Sequence, residues 1–241
     1  MIELYASSSP NVQKVVIFLE EAELRYRLRP VNVHQGEQYL PQFRALNPNA
    51  KVPVIVDHEG PGGAVHTVFE SGAILLYLAE KTGRFLPSGP LERSTAIQWL
   101  MIQLTGIGPM FGQFNHFARF AKDATYGLER YASEMRRLYD LIDERLADAP
   151  FLGGRDYTIA DIATFPWIRT QARLFGERYG ALRQGWTEHP NIARWFASIE
   201  ARPAVARAVV DIDSRPSTLG SASPEQLDRY FGRGAWRRRI D

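Results

Sequence analysis

The spacing of apolar residues changes near residue 83, and this change restricts the possible folds more than any other feature. Residues 2–6 alternate as a half-buried strand does, and apolar residues in 12–19 recur at helical spacing. Further strands are predicted at 26–33, 52–56 and 64–69, with helices at 37–46 and from Ser71. The order β-α-β-α-β-β-α over residues 1–83 predicts an α/β domain with helices on a small mixed sheet.

The rest of the chain carries helical patterns only. A stretch rich in turn-forming residues, 83–92, reads as a connection between domains. Helices are predicted in 91–120, where Pro109 should kink or break the helix, and in 126–147, 158–175, 189–201 and 203–212. An all-α domain is therefore predicted over 91–212, followed by a C-terminal extension, 213–241.

Composition excludes several functional classes. The 241 residues include no cysteine, which rules out a protein disulfide, a thiolate metal site and a protein thiol nucleophile. The five histidines show no metal-ligand spacing, so no metal is expected. A net charge of +2 argues against a nucleic-acid partner. Without a signal-like start or an apolar run of ~20 residues, we expect a cytoplasmic protein with no membrane partner.

The Val52–Pro53 step is the first candidate binding feature. A proline at the first position of a strand can simply mark where the strand begins, and most peptide bonds before proline are trans. If this bond is cis, the backbone N–H and C=O of Val52 can pair with a peptide ligand as an added strand would.

Glu70 and Ser71, where a strand runs into a helix, form the second candidate. The free N–H groups and positive end of a helix bind carboxylates, Ser71 can donate a hydroxyl, and Glu70 can accept from an ammonium group. The alternative is that Ser71 is only a helix cap.

The third candidate is the segment SSSPN, residues 7–11, between the first strand and the first helix. The side-chain amide of Asn11, the helix N-terminus and the Ser9 hydroxyl could stabilise a bound thiolate. Lowering a thiol pKa of 8.5 by two requires ~3 kcal/mol of preferential stabilisation. The alternative is that Asn11 is an ordinary cap.

Across residues 1–212 the sequence resembles the cytosolic glutathione transferases, and it is most similar to the bacterial nu class, known for disulfide-bond reductase activity. The matching stretches are SPN (9–11), FLEEAELRYRL (18–28), NPNAKVPVIVDH (47–58), FESGAILLYLAEKTG (69–83), QWLMIQLTGIGPMFGQFNHF (98–117), ERY (129–131) and GGRDYTIADIA (153–163).

The resemblance implies a thioredoxin-like first domain, a homodimer, and reduced or oxidised glutathione in a cleft between the domains. It also implies that Val52–Pro53 is cis. Asn11 and Ser9 would face the glutathione sulfurs. The resemblance further implies that Glu70 and Ser71 hold the γ-glutamyl end of glutathione. Gln38 and Lys51 would bind the far carboxylate and the nearby backbone. Arg130 would reach a ligand across the dimer.

Three other features receive different interpretations. Thr158 and Asp161 have the spacing of a capping box and are assigned to folding. His116 is interpreted as part of an aromatic wall, with proton transfer as the alternative. The aromatic and basic residues of the extension favour a tail folded over the cleft or the dimer partner.

Two enzymatic hypotheses and one binding hypothesis follow. The first is thiol–disulfide exchange on a small-molecule disulfide, with glutathione supplying the reacting sulfur. The second sends the same thiolate to a carbon electrophile, giving conjugation, dehalogenation or ether cleavage. The third is a non-catalytic glutathione-binding dimer.

Overall fold

The computed structural model of the protein describes residues 1–121, 123–175, 188–215 and 218–234. The chain divides into two compact units, the first formed by Met1–Tyr77 with the stretch from Arg207 onward, the second by Leu78–Ala206. The domain ranges expected from the sequence stay predictions.

A four-stranded mixed sheet forms the centre of the first unit. Its strand order is β2-β1-β3-β4, in which β1 is parallel to β2 and antiparallel to β3, and β3 is antiparallel to β4. The predicted order of strands and helices is confirmed: β1 Ile2–Ala6, α1 Pro10–Glu21, β2 Tyr26–Pro30, α2 Pro41–Leu46, β3 Val54–Asp57, β4 His66–Phe69 and α3 Ser71–Thr82.

Strand register brings four chain segments to one edge of this sheet. Tyr5 pairs with Val54, Val54 pairs with Phe69, and Ala6 pairs with Pro30. The residues that follow β1, β2 and β4 therefore lie at the same edge as the residues that precede β3. These segments carry all the predicted site residues of the first unit.

Proline chemistry accounts for the main departures from the predicted boundaries. The helix expected at 37–46 is instead a 3₁₀ turn, Glu37–Tyr39, an extended Leu40, and then α2. Pro41 causes this break because proline disfavours the helical conformation of the residue before it. The second strand ends at Pro30 rather than at residue 33, and the third begins at Val54 rather than at residue 52.

Helices make up nearly all of the described part of the second unit. A π-helical turn, Gln103–Ile107, separates α4 from α5 just before Pro109, which confirms the predicted interruption. Searched over the described residues, no helix combines the length and apolarity that crossing a membrane would require. The helices after α3 are α4 Pro90–Ile102, α5 Gly108–Phe120, α6 Thr125–Asp148, α7 Ile159–Phe175, α8 Pro190–Glu200, α9 Pro203–Asp213 and α10 Pro224–Phe231.

Asp161 ties three parts of the second unit together. One carboxylate oxygen accepts from the Leu152 N–H at 2.8 Å and from the Trp195 indole N–H at 2.9 Å. The other accepts from the Thr158 N–H at 2.9 Å and from its hydroxyl at 3.0 Å. The Thr158 hydroxyl oxygen accepts in turn from the Ala160 N–H. The carboxylate half of the predicted capping box is present, whereas the Thr158 hydroxyl caps the Ala160 N–H instead of the Asp161 N–H, and the carboxylate also reaches α8.

Candidate functional site

The N-terminus of α1 places Ser9 and Asn11 at the sheet edge. Ser9 is the cap: its backbone is extended, and its hydroxyl oxygen accepts from the Val12 N–H at 3.2 Å. The interpretation of Asn11 as an ordinary cap is therefore wrong, because the helix begins one residue earlier, at Pro10. Asn11 lies half-buried in the first turn, where the helix dipole favours negative charge.

Lys14 was missed in the sequence and is the most unusual group of this edge. Its side chain is 1% exposed, and its ammonium nitrogen lies 3.2 Å from the Ser71 hydroxyl oxygen. Burial lowers the pKa of Lys14 to about 7, against the opposing effect of the Glu70 carboxylate. A signal was present: α1 is apolar on all sides around this lysine, and such a helix is buried on all faces.

Ser71 begins α3 and points its hydroxyl toward α1. The Glu70 carbonyl, not Ser71, accepts the first helical hydrogen bond, from the Ile74 N–H at 2.9 Å. The interpretation of Ser71 as only a cap is wrong for this reason. Since its oxygen accepts from Lys14, the hydroxyl proton is left to donate. A helix N-terminus, a hydroxyl donor and a buried lysine together make a carboxylate-binding position.

Glu70 has an unfavourable backbone conformation with its side chain exposed. Its φ of 68° lies in the left-handed region, which costs a residue with a Cβ about 1 kcal/mol. One carboxylate oxygen accepts from the Asn49 side-chain amide at 3.0 Å. Backbone strain of this kind concentrates at binding sites. The carboxylate is placed beside the Ser71 position, where it can accept from an ammonium group.

The turn from residue 47 to residue 53 is built around a buried asparagine. The Asn47 side chain donates to the Lys51 carbonyl at 2.8 Å and accepts from the Asn49 N–H at 2.9 Å. The Val52–Pro53 peptide bond is cis, as the resemblance implies. The Lys51 side chain is exposed.

Gln38 lies in the 3₁₀ turn that follows β2, at the same sheet edge. The residue is 3% exposed, and its amide oxygen is buried with no hydrogen-bond partner among the described residues. Buried amides in folded proteins are normally satisfied. A ligand that reaches this edge could provide the missing donor.

Arg130 and His116 belong to the second unit. Arg130 is exposed on α6. His116 is half-buried on α5, with its ring centroid 5.8 Å from that of Phe117 and 6.0 Å from that of Phe120. These contacts fit an aromatic wall. The role of either residue toward a ligand stays a prediction.

The first-unit edge combines complementary binding positions. It offers a carboxylate position at Ser71, an ammonium acceptor at Glu70, and donors near a second helix N-terminus at Ser9 and Asn11. These groups match a ligand that carries an ammonium and a carboxylate group at one end and an anionic atom farther along. Within the described residues no cluster of metal-ligating side chains occurs.

Comparisons with known proteins point to one family. Residues 8–81 match the family model described as "Glutathione S-transferase, N-terminal domain", and residues 125–198 match "Glutathione S-transferase, C-terminal domain". The chain is 45% identical over 212 residues to the disulfide-bond oxidoreductase YfcG of Escherichia coli, covering 87% of this chain and 95% of that protein.

Solved structures give the same result. A glutathione transferase family member from Pseudomonas fluorescens with two bound glutathiones aligns with a TM-score of 0.81 at 44% identity, covering 86% of this chain and 92% of that one. A glutathione transferase from Pseudomonas putida with one glutathione disulfide per subunit aligns with a TM-score of 0.80 at 40% identity, covering 86% and 90%.

Proposed function

Because the chain belongs to the glutathione S-transferase family, we propose that it is a glutathione-dependent disulfide-bond oxidoreductase. Nu-class membership, a homodimer and a cytoplasmic location are parts of this proposal that rest on the resemblance. The enzyme would take glutathione or its disulfide together with a small-molecule disulfide. The observation that carries the proposal is the half-buried Asn11 amide beside the Ser9 cap, at the N-terminus of α1, in a chain without cysteine.

The peptide would be held at both ends. At the γ-glutamyl end, Ser71 and the N-terminus of α3 would receive the carboxylate, and Glu70 would receive the ammonium group. At the far end, Gln38 and Lys51 would bind the glycyl carboxylate and nearby backbone. The backbone of Val52 would pair with the cysteinyl residue, and Arg130 would contact the ligand of a second copy.

The sulfur would lie at the N-terminus of α1. Asn11 can donate its amide protons, and Ser9 can donate its hydroxyl proton because its oxygen is already used as the cap acceptor. Both donors and the helix dipole favour the thiolate over the thiol. The thiolate is the form that attacks a disulfide. The protein itself forms no covalent bond in this scheme.

The overall exchange balances without any other redox partner. Two glutathione thiols and one disulfide give glutathione disulfide and two product thiols, with two electrons passing from glutathione to the substrate. The first exchange forms a mixed disulfide and releases one thiolate, and the second releases the other. Stabilising the attacking and leaving sulfurs is the only task left to the side chains.

Replacing Asn11 by alanine tests this assignment. The Asn11→Ala enzyme is expected to reduce a small dialkyl disulfide with glutathione at least about tenfold more slowly, since a hydrogen bond to a charged atom is lost. The pKa of the bound glutathione thiol should rise in parallel. Steady-state kinetics and ultraviolet titration of the bound thiolate measure the two effects.

Gln42→Ala, which removes an exposed amide on α2, is the matched control and should match the parent protein. Unchanged turnover in Asn11→Ala would exclude Asn11 from the mechanism. Faster turnover of a chloronitrobenzene than of the disulfide would favour the carbon-electrophile hypothesis instead. Glutathione binding without turnover of either substrate would favour the non-catalytic hypothesis.

A further inference from the structure

We propose that the tail segment, residues 218–234, is a positioning element that holds the 32–39 segment in the shape that receives the glycyl end of glutathione. The proposal rests on the proposed function, because it takes Gln38 as part of the glutathione site. Both segments belong to the first unit. The tail segment lies beyond the region that the two family models match, which ends at residue 198.

The first contact is a chain of hydrogen bonds from Thr218. Its hydroxyl donates to the Asn32 side-chain oxygen at 3.2 Å and lies 2.7 Å from Nδ1 of His34. Since the only hydroxyl proton goes to Asn32, we assign the proton between Thr218 and His34 to the imidazole. The same Asn32 oxygen accepts from the Gln35 N–H at 3.2 Å. One threonine thus links the two side chains that shape the start of the 32–39 segment.

The second contact comes from α10 and reaches the other end of that segment. The Arg229 guanidinium lies over the Tyr39 ring, 5.5 Å from its centroid, and the Tyr230 ring lies 4.8 Å from His34. Arg229 also packs on Gly36, where a Cβ would come within 2.8 Å of the guanidinium carbon. Gly36 has a φ of 85°, a left-handed conformation that favours glycine, and a side chain at this position would displace the guanidinium.

The tail helix is well formed at both ends. Ser223 and Gln226 make a complete capping box at its start, and Gly232 ends it in the left-handed conformation. An ion pair of 3.1 Å joins Asp228 to Arg233. Because its ends are satisfied locally, this short helix can present Arg229 and Tyr230 in fixed positions.

The backbone N–H groups of the 32–39 segment bond within local turns. The Tyr39 N–H reaches the Gly36 carbonyl at 3.0 Å, and the Glu37 carboxylate accepts from the Asn32 N–H at 2.6 Å. The Gly36 N–H and the Glu37 N–H reach their backbone acceptors at 3.3 Å. Such a segment would move between conformations if nothing tied it down. Gln38, near the end of the segment, has a buried amide with an oxygen that has no partner among the described residues. Holding the segment still before the ligand arrives reduces the ordering cost of binding.

Two surface substitutions, combined with a shortened ligand, test the proposal. Thr218→Val removes the hydroxyl bridge, and Arg229→Ala removes the contact with Tyr39 and Gly36. Each is expected to weaken glutathione binding by about three- to tenfold in calorimetry, with KM raised and kcat within about twofold. Binding of γ-glutamylcysteine, which lacks the glycine, should be unchanged. Glu225→Ala, on an exposed position of the same helix, should behave as the parent for both ligands.

The outcomes separate this proposal from the proposed function. If the parent protein binds no glutathione, the proposed function fails. If it does, and the two variants bind glutathione as the parent does, the positioning role is wrong. Equal loss of affinity for glutathione and γ-glutamylcysteine would also overturn it, since the effect would then not belong to the glycyl end. Thermal unfolding of each variant shows that it is folded.

Discussion

Replacing Lys14 by methionine is expected to stabilise the protein and weaken glutathione binding. A pKa of about 7, where lysine ordinarily has 10.5, corresponds to a cost of about 5 kcal/mol for burying this side chain at neutral pH. Methionine fills similar space without charge. After loss of the hydrogen bond to Ser71 is subtracted, the free energy of unfolding should rise by roughly 3 kcal/mol at pH 7. Urea unfolding measures this change.

The pH dependence of the difference identifies its cause. Between about pH 7 and pH 10.5 the unfolded chain keeps the Lys14 proton, whereas the folded chain has lost it. The stability of the parent should therefore rise with pH through this range relative to Lys14→Met, and the gap between them should close. Exposed Lys81 provides the control, since Lys81→Met should change stability by less than about 0.5 kcal/mol. If the difference in unfolding free energy between the parent and Lys14→Met did not vary with pH, packing and not charge would have produced the added stability.

Lys14→Met should also bind S-methylglutathione about tenfold more weakly at pH 6, because a cation behind Ser71 attracts the γ-glutamyl carboxylate. In the parent, affinity should fall between pH 6 and pH 8 as Lys14 loses its proton. In the variant, affinity should stay level over that range. If the affinity of the parent did not depend on pH, Lys14 would have no role in ligand binding and would only destabilise the fold.

Glu70→Gln is expected to weaken glutathione binding by about 30- to 100-fold. The substitution keeps the size of the side chain and its acceptor toward Asn49 but removes the charge that would face the ligand ammonium. Hydrogen bonds between charged groups contribute about 2–3 kcal/mol. Isothermal calorimetry with glutathione and with its des-amino analogue measures the effect.

The analogue shows where the lost affinity belongs. The parent should bind des-amino glutathione as weakly as Glu70→Gln binds glutathione. The affinity of the variant should fall little further when des-amino glutathione replaces glutathione. Glu59→Gln, an exposed site paired with the N-terminal amine, serves as the charge-matched control. If removal of the ammonium group lowered the affinity of the parent and of the variant by the same factor, Glu70 would not contact the ammonium group.

Local sequence patterns predicted the strands, the helices and the segments at the sheet edge, because these features depend on residues that are neighbours in the sequence. Alternation and helical spacing located the strands and helices, and the junction at Glu70 follows directly from a strand that ends where a helix begins. Pro41 also gave a local signal for the break at Leu40, which the prediction of one continuous helix overlooked. The roles of the site residues toward glutathione stay predictions.

Features that depend on distant contacts could not be predicted in the same way. The apolar residues around Lys14 indicate a helix that is covered on all faces, but they do not indicate that Ser71 lies against its ammonium group. The Thr218 contact with His34 joins residues 184 apart in the sequence. The aromatic and basic residues of the tail favoured a position over the cleft or the dimer partner, which stays a prediction, and they did not indicate the contacts with Tyr39 and His34.

The four hydrogen bonds to Asp161 have a consequence for the cooperativity of the helical unit. Their donors come from a turn, from the start of α7 and from α8, so no one of these parts can leave without taking at least one donor away from a buried carboxylate. A buried carboxylate that loses part of its hydrogen bonding raises the free energy of the open form. Partly open forms are therefore penalised, and these elements separate all at once.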